Sequence, residues 1–107
     1  LNMKATYVQR GEYIDIVPES KVNAGDVVVQ GDLVGISKLD IEAGKLGAIA
    51  TTGVYDVEKG NEAFAAGAKA YWDGGKTTAT AEGNTRIGLA VQTADASSPT
   101  VRILLNA

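Results

Sequence analysis

The stretch of this chain that comes nearest to a chemical device is Gly74-Gly75-Lys76-Thr77-Thr78. A phosphate-cradling loop needs G-x-x-x-x-G-K-[S/T] ahead of a helix. The first glycine of that motif would fall at position 70, which is Ala70, and the flanking residues read as strand. The segment is therefore expected to be a turn between strands. Thirteen acidic residues supply further candidates. Asp15, Asp32, Asp40, Asp56 and Asp73 sit in or beside strands and turns, show no EF-hand spacing, and read as solvated turn residues. Ser20, Ser37, Ser97 and Ser98 lack a G-x-S-x-G elbow. Cysteine and histidine are both absent. That excludes a Ser-His-Asp triad, a thiol nucleophile, a histidine proton shuttle and any Cys/His metal site. No catalytic residue, cofactor-binding residue or metal ligand is expected, and a small hydrolase or recombinase-type ATPase is the least favoured reading.

What remains is chemistry of contact. Tyr71 and Trp72 are the residue types that anchor interfaces, because each buries a large area and keeps a polar handle. The competing role for the sole tryptophan is keystone of a small core. Strand alternation sends the two side chains to opposite faces, so one can serve each role. Residues 1–10 carry Tyr7 and Val8 as apolar anchors and Lys4 and Arg10 as charge partners. They read either as an N-terminal arm that orders on a partner surface or as an ordinary first core strand. Tyr7, Val8, Arg10, Tyr71 and Trp72 are the candidate interface residues.

The elements that would position these groups are strands. At 107 residues the chain fits one domain, 1–107. Apolar residues make up 45% and charged residues 21%, a globular balance. Val27-Val28-Val29, Leu33-Val34-Gly35-Ile36, Ile87 to Val91 and Val101 to Leu105 are β-forming runs separated by glycine turns. Two short strands are expected about Gly11, one holding Tyr7-Val8 and one spanning Tyr13 to Val17. Thr77, Thr78 and Thr80 suit an exposed or edge strand. Residues 61–67, NEAFAAG, are the one helical candidate, two turns at most. Eight to ten short antiparallel strands with under 15% helix predict an all-β barrel or sandwich. An echo divides it: Ala24 to Val29 resembles Ala66 to Tyr71, and Leu33-Val34-Gly35-Ile36 resembles Arg86-Ile87-Gly88-Leu89. Two similar β units would produce that pattern.

The net charge is −3, and the ten basic residues are scattered and never adjacent, which argues against nucleic acid as a partner. No run approaches the ~20 apolar residues of a bilayer span, and no secretory signal is visible, so no membrane partner is expected.

With these residues assembled, the chain resembles a family of capsid cement, or decoration, proteins of tailed phages and prophages. The resemblance rests on Tyr7-Val8-Gln9-Arg10-Gly11, Val22-Asn23-Ala24-Gly25-Asp26-Val27-Val28 and Gly53-Val54-Tyr55. It continues through Gly67-Ala68-Lys69-Ala70-Tyr71-Trp72-Asp73, Ile87-Gly88-Leu89-Ala90 and Val101-Arg102-Ile103-Leu104-Leu105. Tyr55 departs from the phenylalanine common in the family, a mild change of size and polarity. The resemblance implies a non-catalytic structural protein that binds the outer surface of a phage shell and stabilises it. Its implied partners are the major capsid protein and copies of itself. Its implied place is the virion surface, and the host cytoplasm during assembly. The alternative is a small β-barrel binding module of another surface or tail assembly.

Overall fold

The computed structural model describes residues 4–107. Within them nine short strands form two antiparallel sheets that pack together as a small β-sandwich, with no helix among the described residues. The first sheet holds β1 (Tyr13–Ile16), β2 (Val27–Gln30), β3 (Leu33–Ser37) and β4 (Gly47–Ala50) in the order β1-β4-β3-β2. The second holds β5 (Val54–Glu58), β6 (Lys69–Trp72), β7 (Thr77–Thr78), β8 (Thr85–Ala90) and β9 (Thr100–Leu105) in the order β5-β9-β8-β6-β7.

The β2–β3 hairpin shows how local chemistry sets register. Gln30 pairs with Leu33, leaving a two-residue loop, Gly31-Asp32. Gly31 has φ +63°, and a glycine in the first loop position gives a turn whose twist matches the strands it joins.

The two sheets repeat one plan. Laying β1, β2, β3 and β4 on β5, β6, β8 and β9 gives the same strand order, with β7 added at one edge. The register agrees: Ala50 pairs with Tyr13 and Ile36, as Leu104 pairs with Val54 and Leu89. Val22 bridges Ile41 just as Phe64 bridges Ala94. Even the turns match. Gly25 N donates to Ser37 O and Gly67 N to Ala90 O, each at 2.6 Å, with both glycines at φ near +90° (+90° and +86°). The echo seen in the sequence is thus a structural repeat of two similar β units.

Each unit also has a glycine where the fold leaves no space. Gly35 and Gly88 occupy equivalent positions on β3 and β8. A β-carbon on Gly35 would come within 2.7 Å of Ile49 Cγ1, and one on Gly88 within 2.9 Å of the equivalent Ile103. Elsewhere the units exchange volume. Gly47 lies against Ile41 in the first unit, while the second has Val101 and Ala94 in those places.

Apolar burial is unequal. Ile16, Val22, Ile41 and Ile49 form a small cluster in the first unit. The larger core gathers Val57, Phe64, Ala70, Ile87, Ala90, Val101, Ile103 and Leu105 of the second unit with Val34 and Ile36 of the first, so one face of the first sheet completes the core of the second. Asn106 fastens this junction. Its Nδ2 donates to Val34 O at 2.7 Å and to Thr51 O at 2.8 Å, while its backbone N reaches Ile87 O at 2.8 Å. It does so at φ +58°, a conformation asparagine tolerates better than most residues.

Three expectations are corrected. Tyr7 and Val8 form no strand. The chain is first tied down at Gly11 and Glu12, where Thr51 donates its hydroxyl to Gly11 O and its backbone N to Glu12 O. Residues 61–67 are not helical, because Phe64 is drawn into its bridge with Ala94 and buried, a non-local gain that outweighs local alanine propensity. Thr77 and Thr78 do lie on the edge strand of their sheet, as one of the two alternatives had it, but they are buried rather than exposed, since β7 is held between β6 and a parallel bridge from Thr77 to Lys59.

Candidate functional site

The former phosphate-loop candidate is a turn closed on itself. Asp73 Oδ1 accepts from Gly75 N at 2.9 Å and from Lys76 N at 2.7 Å, so the amides that would meet a phosphate are already occupied by the chain's own carboxylate. Lys76 Nζ points instead to Glu58, 3.6 Å away. The hydrogen bonds from Lys76 N and then Gly75 N hold the Asp73 carboxyl below the ordinary aspartate range. Asp56 is lowered in the same direction by its paired hydrogen bonds from Arg102, at 2.9 and 3.2 Å. Both folded pKa values lie below their unfolded values. Their stabilising contribution is therefore present above the unfolded value and lost as pH falls through the folded one. Carbon-detected NMR titration is expected to show Asp73 and Asp56 protonating at lower pH than an aspartate in an unstructured peptide. If Asp73 titrates as in the peptide, its turn is open in solution.

No group of three or more His, Cys, Asp or Glu among the described residues is placed to hold a metal ion. One groove, about 600 Å³, opens along the junction of the two units. It is lined by Asp26, Asp56 and Glu58 with Val27, Tyr55 and Trp72. Two of its acids are already paired, Asp56 with Arg102 and Glu58 with Lys76. The groove is a seam between units with no nucleophile beside a base.

The predicted contact residues fall into two groups. Tyr7 and Val8 are 77% and 85% exposed on the segment that precedes β1, and Arg10 pairs with Glu12 at 3.3 Å on the surface. Residues 1–3 of the proposed arm lie outside the described residues. Tyr71 and Trp72 stand on β6 of the second sheet, both partly buried. Trp72 packs one side against the larger core, one of the two roles weighed for it, and turns the other to the seam groove.

Sequence reasoning missed Lys59. It is only 4% exposed, and its Nζ donates to the carbonyls of Glu62 (2.7 Å), Gly60 (3.2 Å) and Ala96 (3.3 Å). It also missed the exposed apolar side chains Leu39 and Leu46 at the two ends of the β3–β4 connection and Val54 and Leu104 on the second sheet. For Val54 and Leu104 the signal was their place in strands too short to bury both faces; Leu39 and Leu46, in a connection, gave none. Beside them, Lys38 donates to the Tyr13 hydroxyl at 2.8 Å. That bond, and after it the charge interaction with Tyr55, raises Lys38 above the ordinary lysine range.

Among the described residues no helix is long and apolar enough to cross a membrane. Compared with known proteins, residues 8–105 match a family model described as phage cement protein. No curated protein and no solved structure matches the chain.

Proposed function

Because the chain belongs to the phage cement protein family, and is therefore a non-catalytic structural protein of the phage capsid, we propose that it bridges neighbouring major capsid subunits on the outer face of the shell. It joins them as a homo-oligomer, after folding in the host cytoplasm. The family match over residues 8–105 carries this reading. Physical features support it. The described body is thin, 52 × 36 × 23 Å, and offers broad faces rather than a deep pocket. A shell repeats one site hundreds of times, so modest affinity per site is amplified when copies are linked. The contact residues proposed here are Tyr7, Val8 and Arg10 on the arm and Tyr71 and Trp72 on β6. Their chemistry suits it, with exposed apolar anchors beside a charge on a segment that can order against a partner. Ordering such a segment costs about 1–2 kcal/mol per residue, so it settles only where the partner offsets that cost.

The test is a shell-binding assay on heads purified from a phage lacking this gene. Deleting residues 1–8, which removes Tyr7 and Val8, leaves every strand among the described residues intact, so the truncated protein is expected to melt like the full chain and bind shells at least tenfold more weakly. Unchanged affinity removes the arm from the contact. Absence of binding by the full chain itself overturns the capsid reading.

A further inference from the structure

The internal repeat allows each surface residue of one unit to be compared with its structural counterpart in the other. Several counterparts differ in character, among them Val17 and Glu58, Val27 and Lys69, and Leu33 and Arg86. Among these differences the most exposed apolar side chains lie around the connection from β3 to β4. Counting from the paired positions Ile36 and Leu89, Leu39 stands where the second unit has Gln92. Counting back from Ala50 and Leu104, Leu46 stands where it has Thr100. Leu39 is 76% exposed and Leu46 72%. The second unit folds with polar residues at both places, so the fold does not require leucine there.

These leucines do not stand alone. They share a shallow groove with Tyr13 and Lys38. Tyr13 and Lys38 in turn line a second hollow with Val54 of the other sheet, and Val54 pairs across the ladder with Leu104. Tyr13, Val54 and Leu104 are each between 40% and 52% exposed. The result is a continuous apolar strip from one unit to the other. Contiguous apolar surface of this kind on a folded domain marks a contact site rather than scattered exposure.

We propose that this strip, Leu46–Leu39–Tyr13–Val54–Leu104, is a further face that lies on the capsid shell, in addition to the arm and β6 residues named above. The inference rests on the capsid reading above and adds a surface through which it acts. The occupant follows from shape as well as family. The strip crosses both units of a body only 23 Å thick, so it meets a broad and gently curved surface, whereas a single peptide would fill one hollow and leave the rest wet. Charged groups also line the hollows along the strip: Glu12 pairs with Arg10, Glu42 with Lys21, Asp40 accepts from Ala24 N, Lys38 donates to Tyr13, and Lys45 stands beside them. Most of the charge at its margin is thus already partnered, which lowers the cost of desolvating it.

The test uses L39Q/L46T, which installs the residues the second unit already carries, and V54K at the other end of the strip. Each is compared with the wild-type protein for thermal melting, light scattering and binding to purified heads that lack the protein. The expected result is wild-type melting for L39Q/L46T, with shell affinity lowered at least tenfold for it and for V54K. Wild-type shell affinity in L39Q/L46T overturns the proposal. So does a change in self-association with shell binding intact, which would assign the strip to contacts between copies. If the wild-type protein fails to bind heads, the capsid reading fails first and this surface with it.

Discussion

Replacing Gly88 by alanine is expected to lower stability by about 3 kcal/mol, the upper range for forcing atoms into a packed interior. A β-carbon there would fall on the carbonyl oxygen of Leu104 and within 2.9 Å of Ile103 Cγ2. The first contact is with backbone of the paired strand β9, where no side-chain rotation can relieve it. The strands must separate or the sheet must shift, and the core residues Ile87 and Ile103 shift with it. Gly83→Ala provides the comparison. Gly83 also has positive φ, +77°, but nothing lies within 4 Å of its missing β-carbon. That substitution carries only the conformational cost, about 1 kcal/mol. At ~4 °C per kcal/mol for a chain of this size, the two variants should melt roughly 8 °C apart. If they melt together, Gly88 is retained for its backbone angle and the close approach of β9 is not limiting.

Lys59→Ala is expected to cost still more, about 3–5 kcal/mol, because it removes a buried aliphatic stem and strips three carbonyls of their donor. Lysine has three donors and no acceptor, which matches the carbonyls of Gly60, Glu62 and Ala96 one for one. Those carbonyls belong to the segment after β5 and the loop before β9, so one side chain holds two connections together at the end of the second sheet. The adjacent bridge from Lys59 to Thr77 fixes β7 at the same place. Lys59→Met separates the two contributions. It keeps most of the stem and loses the donors, so it should fall between wild type and Lys59→Ala in urea unfolding. A Lys59→Met protein as stable as wild type would mean that packing alone accounts for the site.

These two residues also mark what could and could not be read in advance. Strands were legible wherever β-branched runs meet glycine turns, as in Val27–Gln30 and its hairpin partner, because both signals are local. The repeat was legible through paired glycines, Gly25 with Gly67 and Gly35 with Gly88. Each is held in place by its own geometry, so each recurs in the same slot of both units. Contacts made across long stretches of chain were not legible. Phe64 sits in an alanine-rich segment that looks helical until Ala94, thirty positions later, supplies its bridge. Lys59 looks like any surface lysine because its partners are backbone carbonyls, which every residue carries and no sequence displays. Tyr7 and Val8 look like strand because the alternation is right, but no neighbouring strand accepts them. The non-catalytic reading was legible from the missing histidine and cysteine. The turn at Asp73 gives it a geometric form, since its own carboxylate occupies the amides a phosphate would need. Of the proposed contact residues, Tyr7, Val8 and Trp72 could each be weighed between two roles from sequence, and Trp72 does pack against the core. The exposed leucines stand out only once the two units are superposed strand on strand.

The order of strands in the second sheet bears on how the chain is made. All four strands of the first sheet lie within residues 13–50, so its ladder can be completed while the rest is still being translated. In the second sheet β9 lies between β5 and β8 although it is the last strand of the nine to leave the ribosome. Until residues 100–105 emerge, β5 has no antiparallel partner, and the faces of Val57 and Ile87 stay wet. Loop closure between β5 and β9 must then bring together positions about fifty residues apart, a slow step for a β-fold. The nascent protein thus passes from a finished half to an unfinished one, and a polypeptide stalled before its last strand exposes the apolar surface that quality-control proteases and chaperones recognise.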